Sequence, residues 1–296
     1  MIILRPHGGL GNQLFAYAAA RRLALFNEME MVIDHVSGFS YDTRYHRQYQ
    51  LDHFSISCRK ATSAERLIPF GRLRRYILRS WNSHLPFEQR KYLVQEGINF
   101  DKRLLELQPL KHLYIEGYWQ SEGYFKDVEK QIRQDLRISP PKDDKNNHCF
   151  EKIRQSSAVA LHVRFFDNPA TPGCDDGNNA SNIYYARAIR EMEERVSNAH
   201  YFVFSDRPDL ARTRITLPDD RITFVNHNEG DKNAYADLWL MSQCKHFIIA
   251  NSTFSWWGAW LAEHDAKIVI APGYKKIDII TSWGFDGLLP DEWIKL

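Results

Sequence analysis

Four short blocks of this sequence gather residues of the kinds that hold anions and assist leaving groups. The first is Gly8-Gly9-Leu10-Gly11-Asn12-Gln13, set between an apolar stretch and a helical pattern. Glycines let backbone N–H groups approach an oxyanion closely, and the N-terminus of the following helix favours negative charge. Asn12 and Gln13 add side-chain donors at the same spot, although a tight strand-to-helix turn explains the glycines equally well. Gly9-x-Gly11 with Asp34 also imitates a dinucleotide fingerprint, which would suit an NAD-linked oxidoreductase. Leu14 stands where the third glycine belongs, and that weakens this reading.

The second block, Leu161-His162-Val163-Arg164-Phe165-Phe166-Asp167, is an apolar strand ending in His and Arg. An arginine at a strand end offers a fork of donors to phosphate oxygens and stays charged while a leaving group departs. A structural ion pair with Asp167 is the alternative. The third block runs Tyr201-Phe202-Val203-Phe204-Ser205-Asp206-Arg207-Pro208. Asp206 there either accepts the N–H groups of guanine or caps the next helix, with Pro208 near its first position. The fourth block is the densest, Asn251-Ser252-Thr253-Phe254-Ser255-Trp256-Trp257-Gly258-Ala259-Trp260, entered from a buried strand. Its three hydroxyls and the amides of a helix start suit a diphosphate. The tryptophans read as core packing beneath it. No two aspartates stand in D-x-D spacing, so the charge that meets a departing diphosphate is expected from the protein, through Arg164, and no metal is expected.

The elements that position these blocks follow from periodicity. Short apolar runs alternate with helical patterns, which predicts an α/β fold with mostly parallel sheets. Expected strands are 2–5, 31–34, 113–117, 159–164, 201–205, 222–225, 247–250 and 268–271. Expected helices are 12–26, 65–80, 125–136, 181–196, 234–244 and 254–263. The polar, proline-containing run 139–148 reads as a linker, dividing the chain into residues 1–145 and 146–296 with a ligand cleft between two α/β domains.

Composition narrows the function classes. A net charge of +2 over 296 residues argues against nucleic acid as partner, so any phosphate site must be local. The four cysteines are scattered, without a C-x-x-C pair, which fits a reducing, cytoplasmic compartment. No apolar run is long enough to span a bilayer. The segment 65–85 carries Arg66, Arg72, Arg74, Arg75 and Arg79 among Leu67, Phe70, Leu73, Tyr76, Ile77 and Trp81. It reads as a solvated helix face over a small core, with peripheral contact to an anionic membrane as the alternative.

In their order the blocks resemble the family-eleven glycosyltransferases, the α-1,2-fucosyltransferases. The resemblance takes in Tyr114–Phe125, Asn226–Asn228 and the long run Asp237–Leu261 besides the four blocks. It implies a GT-B-like pair of Rossmann-type domains, an N-terminal acceptor-side domain and a C-terminal domain holding GDP-fucose. It also implies metal-independent, inverting transfer to a galactose-terminated glycan, with no cofactor beyond the donor. Arg164, Asn12 and Asp167 are then the catalytic candidates, and Glu116 is a second candidate for the base. Gly9, Gly11, Gln13, His162, Ser205, Asp206, Asn251, Ser252, Thr253 and Ser255 are the substrate-binding candidates. The family pattern H-x-R-R-G-D is broken here by Phe165-Phe166, which puts the acceptor in question more than the donor. A GDP-sugar-binding protein without turnover is the non-catalytic alternative.

Overall fold

A computed structural model describes residues 1–43, 45–166, 178–275 and 283–296. The chain forms two compact units, one of residues 1–138 with 286–288, the other of 139–285 with 289–296.

The first unit contains β1 (Ile2–Leu4), α1 (Leu10–Phe26), β2 (Met31–Ile33), β3 (Arg59–Lys60), α2 (Gly71–Ser83), β4 (Tyr92–Val94), α3 (Arg103–Glu106), β5 (Leu113–Glu116) and α4 (Glu129–Asp135). Its sheet is parallel throughout, in the order β3-β2-β1-β5-β4. β1 and β2 are apolar throughout, β5 is apolar up to Glu116, and all three are almost wholly buried, as strands covered on both faces must be.

The second unit contains α5 (Asp144–Arg154), β6 (Ser157–Val163), α6 (Asn182–Glu193), β7 (Ala199–Ser205), α7 (Pro208–Ala211), β8 (Ile222–Val225), α8 (Ala234–Ser242), β9 (His246–Ile248), α9 (Thr253–Leu261), β10 (Val269–Ala271) and β11 (Ile294–Lys295). The order β11-β10-β9-β6-β7-β8, parallel throughout, is that of a doubly wound dinucleotide-type sheet. Its core joins Leu161 and Val163 of β6 to Tyr185, Ala188 and Met192 of α6 and to Tyr201 and Val203 of β7.

The run 139–148 is not a linker throughout. Asp143 accepts the Asn146 N–H at 3.0 Å and caps α5, so the polar residues 144–148 are the first half of a helix. The division between units falls at 138/139. β3, β4 and β11 were not expected: β3 and β11 are two-residue strands carrying Arg59, Lys60 and Lys295 and so show no apolar run, and β4 is a short run between charged residues, Lys91 on one side and Glu96 on the other.

Candidate active site

In a doubly wound sheet the ligand crevice opens where the strand order reverses, beyond the strands' C-terminal ends. In the second unit that point lies between β6 and β9. The chain leaves β6 toward β7 on one side and later returns to β9 on the other. The residues that follow these two strands are Arg164–Phe166 and Ile249–Ser255, so the topology delivers two of the four blocks to one crevice.

His162, near the end of β6, is buried, and its carbonyl accepts the Tyr185 hydroxyl at 3.0 Å. Its imidazole lies 5.6 Å from the Phe254 ring, centroid to centroid, and Nδ1 has no partner. Burial, reinforced by the Arg164 cation, pushes its pKa down to about 3. The ring is therefore neutral near pH 7, with one N–H and one acceptor nitrogen to offer a ligand.

Arg164 is paired with Asp206 at 3.0 Å, and each side chain remains roughly a quarter exposed. The Arg164 guanidinium lies 5.4 Å from the Phe166 ring centroid. The other Asp206 oxygen accepts the Phe165 N–H at 3.1 Å. Asp206 thus ties the end of β7 to the end of β6. It does not cap the next helix, because Arg207 holds the cap position of α7 and Ser205 accepts the Arg207 N–H at 3.1 Å. Asp167, the expected ion-pair partner and candidate base, lies outside the described residues.

The two phenylalanines that break the family pattern have different surroundings. Phe165 is buried in the core of the second unit, and the Phe166 N–H is held by Asn179 Oδ1 at 2.7 Å. The loop after β6 is therefore anchored by Asp206 and Asn179.

After β9, Ser252 caps α9 by accepting the Phe254 N–H at 3.3 Å. Ser255 is fully buried and donates to the Ser252 carbonyl at 3.2 Å. Two of the three hydroxyls expected to converge on a ligand are thus engaged in building the turn, while Thr253 begins the helix. Asn251 is buried and donates to the Asn178 carbonyl at 2.7 Å, while its Oδ1 has no partner. A buried, unsatisfied carbonyl oxygen costs on the order of 1–3 kcal/mol and is a place where a ligand donor is welcome. Trp256, Trp257 and Trp260 are buried against one another, with Trp256 5.5 Å from Trp293, and form core as expected.

In the first unit the order reverses between β1 and β5, and the glycine-rich loop follows β1. Gly8 has φ +77°, and a Cβ there would lie 3.1 Å from Asn12 Nδ2 and 3.2 Å from the Tyr118 ring, so only glycine fits. Gly9 occupies the cap position of α1 without a side-chain cap, which leaves the amides of Leu10 and Gly11 without an intrahelical acceptor. Asn12 Oδ1 accepts from Gln120 Nε2 at 2.8 Å.

Gln13 is not an available donor. It is fully buried, and its amide donates to the carbonyls of Gly8 and Gln48 at 3.0 and 2.9 Å and accepts the Gln50 N–H at 3.0 Å. It fastens the loop.

Glu116, the second candidate base, binds Arg5 at 2.7 Å, Arg79, and the Tyr92 hydroxyl at 2.8 Å. Burial works to raise its pKa, but Arg5 and Arg79 outweigh that and hold it below the usual carboxylate range. An acidic, doubly paired carboxylate is a poor proton acceptor.

One cluster was not singled out as a site. Asn146 Nδ2 donates to Asp143 and to Asn228, Asn228 Nδ2 donates to Asn146 and to Asp237 Oδ1 at 2.9 Å, and His227 Nε2 is 3.2 Å from Asn146 Oδ1. Burial pushes the Asp237 carboxyl up to about 7. The residues follow β8 and open α5 and α8, which places them on the same C-terminal side of the sheet as Arg164. The signals in the sequence were Asn226-His227-Asn228 and Asp237 at the head of the run Asp237–Leu261, seen as family resemblance without a role.

Two Rossmann-type units of parallel strands make the fold GT-B-like. The chain belongs to glycosyl transferase family 11, whose family model matches residues 1–282. It is similar to an alpha-1,2-colitosyltransferase of Escherichia coli, 28% identical over 310 residues, covering 100% of this chain and 99% of the relative. It is also similar to the O-antigen biosynthesis glycosyltransferase WbnK of Escherichia coli, 28% identical over 90% of this chain and 91% of the relative. A galactoside alpha-(1,2)-fucosyltransferase 2 of Bos taurus is 26% identical over 52% of this chain and 46% of the relative. Among solved structures, the fucosyltransferase NodZ from Bradyrhizobium superposes with a TM-score of 0.53 at 16% identity, over 88% of this chain and 92% of that one. A NodZ alpha-1,6-fucosyltransferase soaked with GDP-fucose gives 0.52, also at 16% identity and the same coverage.

Proposed function

We propose that the protein is a galactoside 2-α-L-fucosyltransferase, moving L-fucose from GDP-fucose to the 2-hydroxyl of a galactose-containing glycan with inversion and without a metal. The observation that carries this reading is the Arg164–Asp206 pair beside neutral His162 and the unsatisfied Asn251 oxygen, at the switch point of a family 11 glycosyltransferase. A guanine edge presents both donors and acceptors, which suits a neutral imidazole and a carboxylate. A diphosphate presents only acceptors, which suits a guanidinium and helix-start amides.

In this reading Arg164 meets the negative charge that grows on the GDP oxygen as the glycosidic bond breaks. Such a fixed donor contributes about 2.7–4 kcal/mol to lowering the barrier. His162, Ser205 and Asp206 contact the guanosine, Ser252 and Thr253 hold the diphosphate, and the free Asn251 oxygen accepts from a hydroxyl of the bound sugar nucleotide. Ser255 supports their turn from below. The family resemblance gives Gly9, Gly11 and Asn12 a share in the diphosphate. Asp167 remains the candidate base for the acceptor hydroxyl, since Glu116 is committed to its arginines. The reaction is placed on the cytoplasmic side, with peripheral contact to a membrane through the basic segment 65–85.

The test is GDP release from GDP-fucose with lactose in excess EDTA, beside Arg164→Ala. Activity that survives EDTA and collapses in the variant supports the reading. GDP binding without release supports a binding protein, and no GDP binding overturns the donor.

The full-length similarity to a colitosyltransferase favours one second reading, in which colitose is the transferred sugar. A kcat/KM for GDP-colitose above that for GDP-fucose decides for it.

A further inference from the structure

The helix α2 does not cover a core. Of its 13 residues only Asn82 is buried. Phe70, Leu73, Tyr76, Ile77 and Trp81 are 54–75% exposed. Helical periodicity places Leu73, Ile77 and Trp81 in one stripe with Tyr76 at its border, and exposed Phe70 precedes them at the cap position of the helix. Five large apolar side chains in water are costly to leave uncovered.

The other face of the helix is basic. Arg72, Arg75 and Arg79, at successive turns of α2, join Arg5, Tyr41 and Tyr76 around a cavity of about 370 Å³. Among the described residues, the ion pairs at this cavity engage Arg5 and Arg79, both with Glu116. Arg72 stacks over Tyr41 at 5.3 Å, and Arg75 donates only to the Arg66 carbonyl. Four guanidinium groups against one carboxylate leave an excess of positive charge at the cavity. Residues 66–87 contain no Asp or Glu to offset it. Helical periodicity sets Arg72, Arg75 and Arg79 on the face opposite Leu73, Ile77 and Trp81, with Tyr76 between the two faces.

We infer that this helix docks on a bilayer of anionic phospholipid, the Leu73–Ile77–Trp81 stripe entering the interface and the arginines of the other face, Arg72 and Arg75 among them, reaching back to headgroup phosphates. An apolar stripe alone fits any hydrophobic partner. A helix with an apolar stripe on one face, tyrosine and tryptophan among its members, and arginines in excess of carboxylates on the other matches the layered chemistry of acyl chains, interface and phosphate. The inference deepens the membrane contact of the proposed function. Its primary readout, binding to vesicles, uses neither donor nor acceptor, so a failure of the transfer reaction leaves it testable.

The experiment is flotation of the full chain with vesicles of phosphatidylcholine, with and without phosphatidylglycerol. Binding is expected only with phosphatidylglycerol and should weaken as salt rises. Arg72→Ala with Arg75→Ala should reduce partitioning roughly 25-fold, about fivefold for each arginine. Leu73→Ser with Ile77→Ser should also reduce it several-fold, while GDP release with soluble lactose stays unchanged in both pairs. Absence of binding to anionic vesicles, or equal binding to neutral ones, overturns the inference. So does a dimer, seen by light scattering, that Leu73→Ser with Ile77→Ser dissolves, because a second copy would then cover the stripe. Loss of lactose transfer in the arginine pair overturns it as well, by making the cavity part of the acceptor site.

Discussion

Arg164 and Asp206 meet at 3.0 Å across the ends of two adjacent parallel strands, and Asp206 also holds the Phe165 N–H at 3.1 Å. The carboxylate therefore sets the position of the guanidinium and of the backbone beside it. Replacing Arg164 by Ala should lower kcat by about 10²–10³-fold with a smaller change in donor KM. Arg164→Lys should fall between, because an ammonium keeps the charge and loses the fork. Steady-state kinetics decide this, and a variant that changes KM alone would return Arg164 to a purely binding role.

Gln13 should prove a structural residue. Gln13→Ala leaves two carbonyls and one N–H without their partner, and the loss should be about 2–4 kcal/mol, read from denaturant unfolding. An unchanged stability with a raised donor KM would restore it as a ligand contact.

Glu116 separates pairing from catalysis. Glu116→Ala leaves Arg5 and Arg79 uncompensated and should cost about 3 kcal/mol of stability. Glu116→Gln should lose part of that stability yet keep a turnover within a few-fold of the parent. A collapse of turnover in Glu116→Gln, with the fold intact, would make it the base.

Asp237 links stability to pH. Its carboxyl sits at about 7 when folded, against an ordinary value near 3.8, so the native state holds its proton more tightly than the unfolded chain does. The penalty for ionising it is absent below about pH 4, grows as pH rises and is complete above about pH 7. Asp237→Asn should therefore stabilise the protein by about 1–3 kcal/mol at pH 8 and by little at pH 4. Thermal unfolding of both proteins across that range tests it, and a pH-independent difference would mean that the carboxyl does not titrate there.

Much of the architecture was legible before the structure. β1 and β2 are continuous apolar runs and β5, β6, β7 and β9 are apolar but for residues at or near their ends, as burial on both faces of a parallel sheet requires. The blocks at their C-terminal ends were legible for the same reason, since polar residues that break a buried run must lie at its edge. The switch points were not legible. They depend on which strand pairs with which, and pairing is a long-range choice that no local period records.

Side-chain roles divide along the same line. The residue types of the sequence alone marked His162, Arg164, Asp206 and Asn251 as chemistry waiting at strand ends. Only the tertiary structure decided that Arg164 pairs with Asp206, that Ser255 and Gln13 face inward, and that Glu116 is held by two arginines. It also decided that the apolar side of α2 faces water, against the expectation of a small core beneath it. The physical reason is common to all of these. A side chain's available donors, acceptors and surface are what remains after its neighbours in space have taken their share, and those neighbours come from far along the chain.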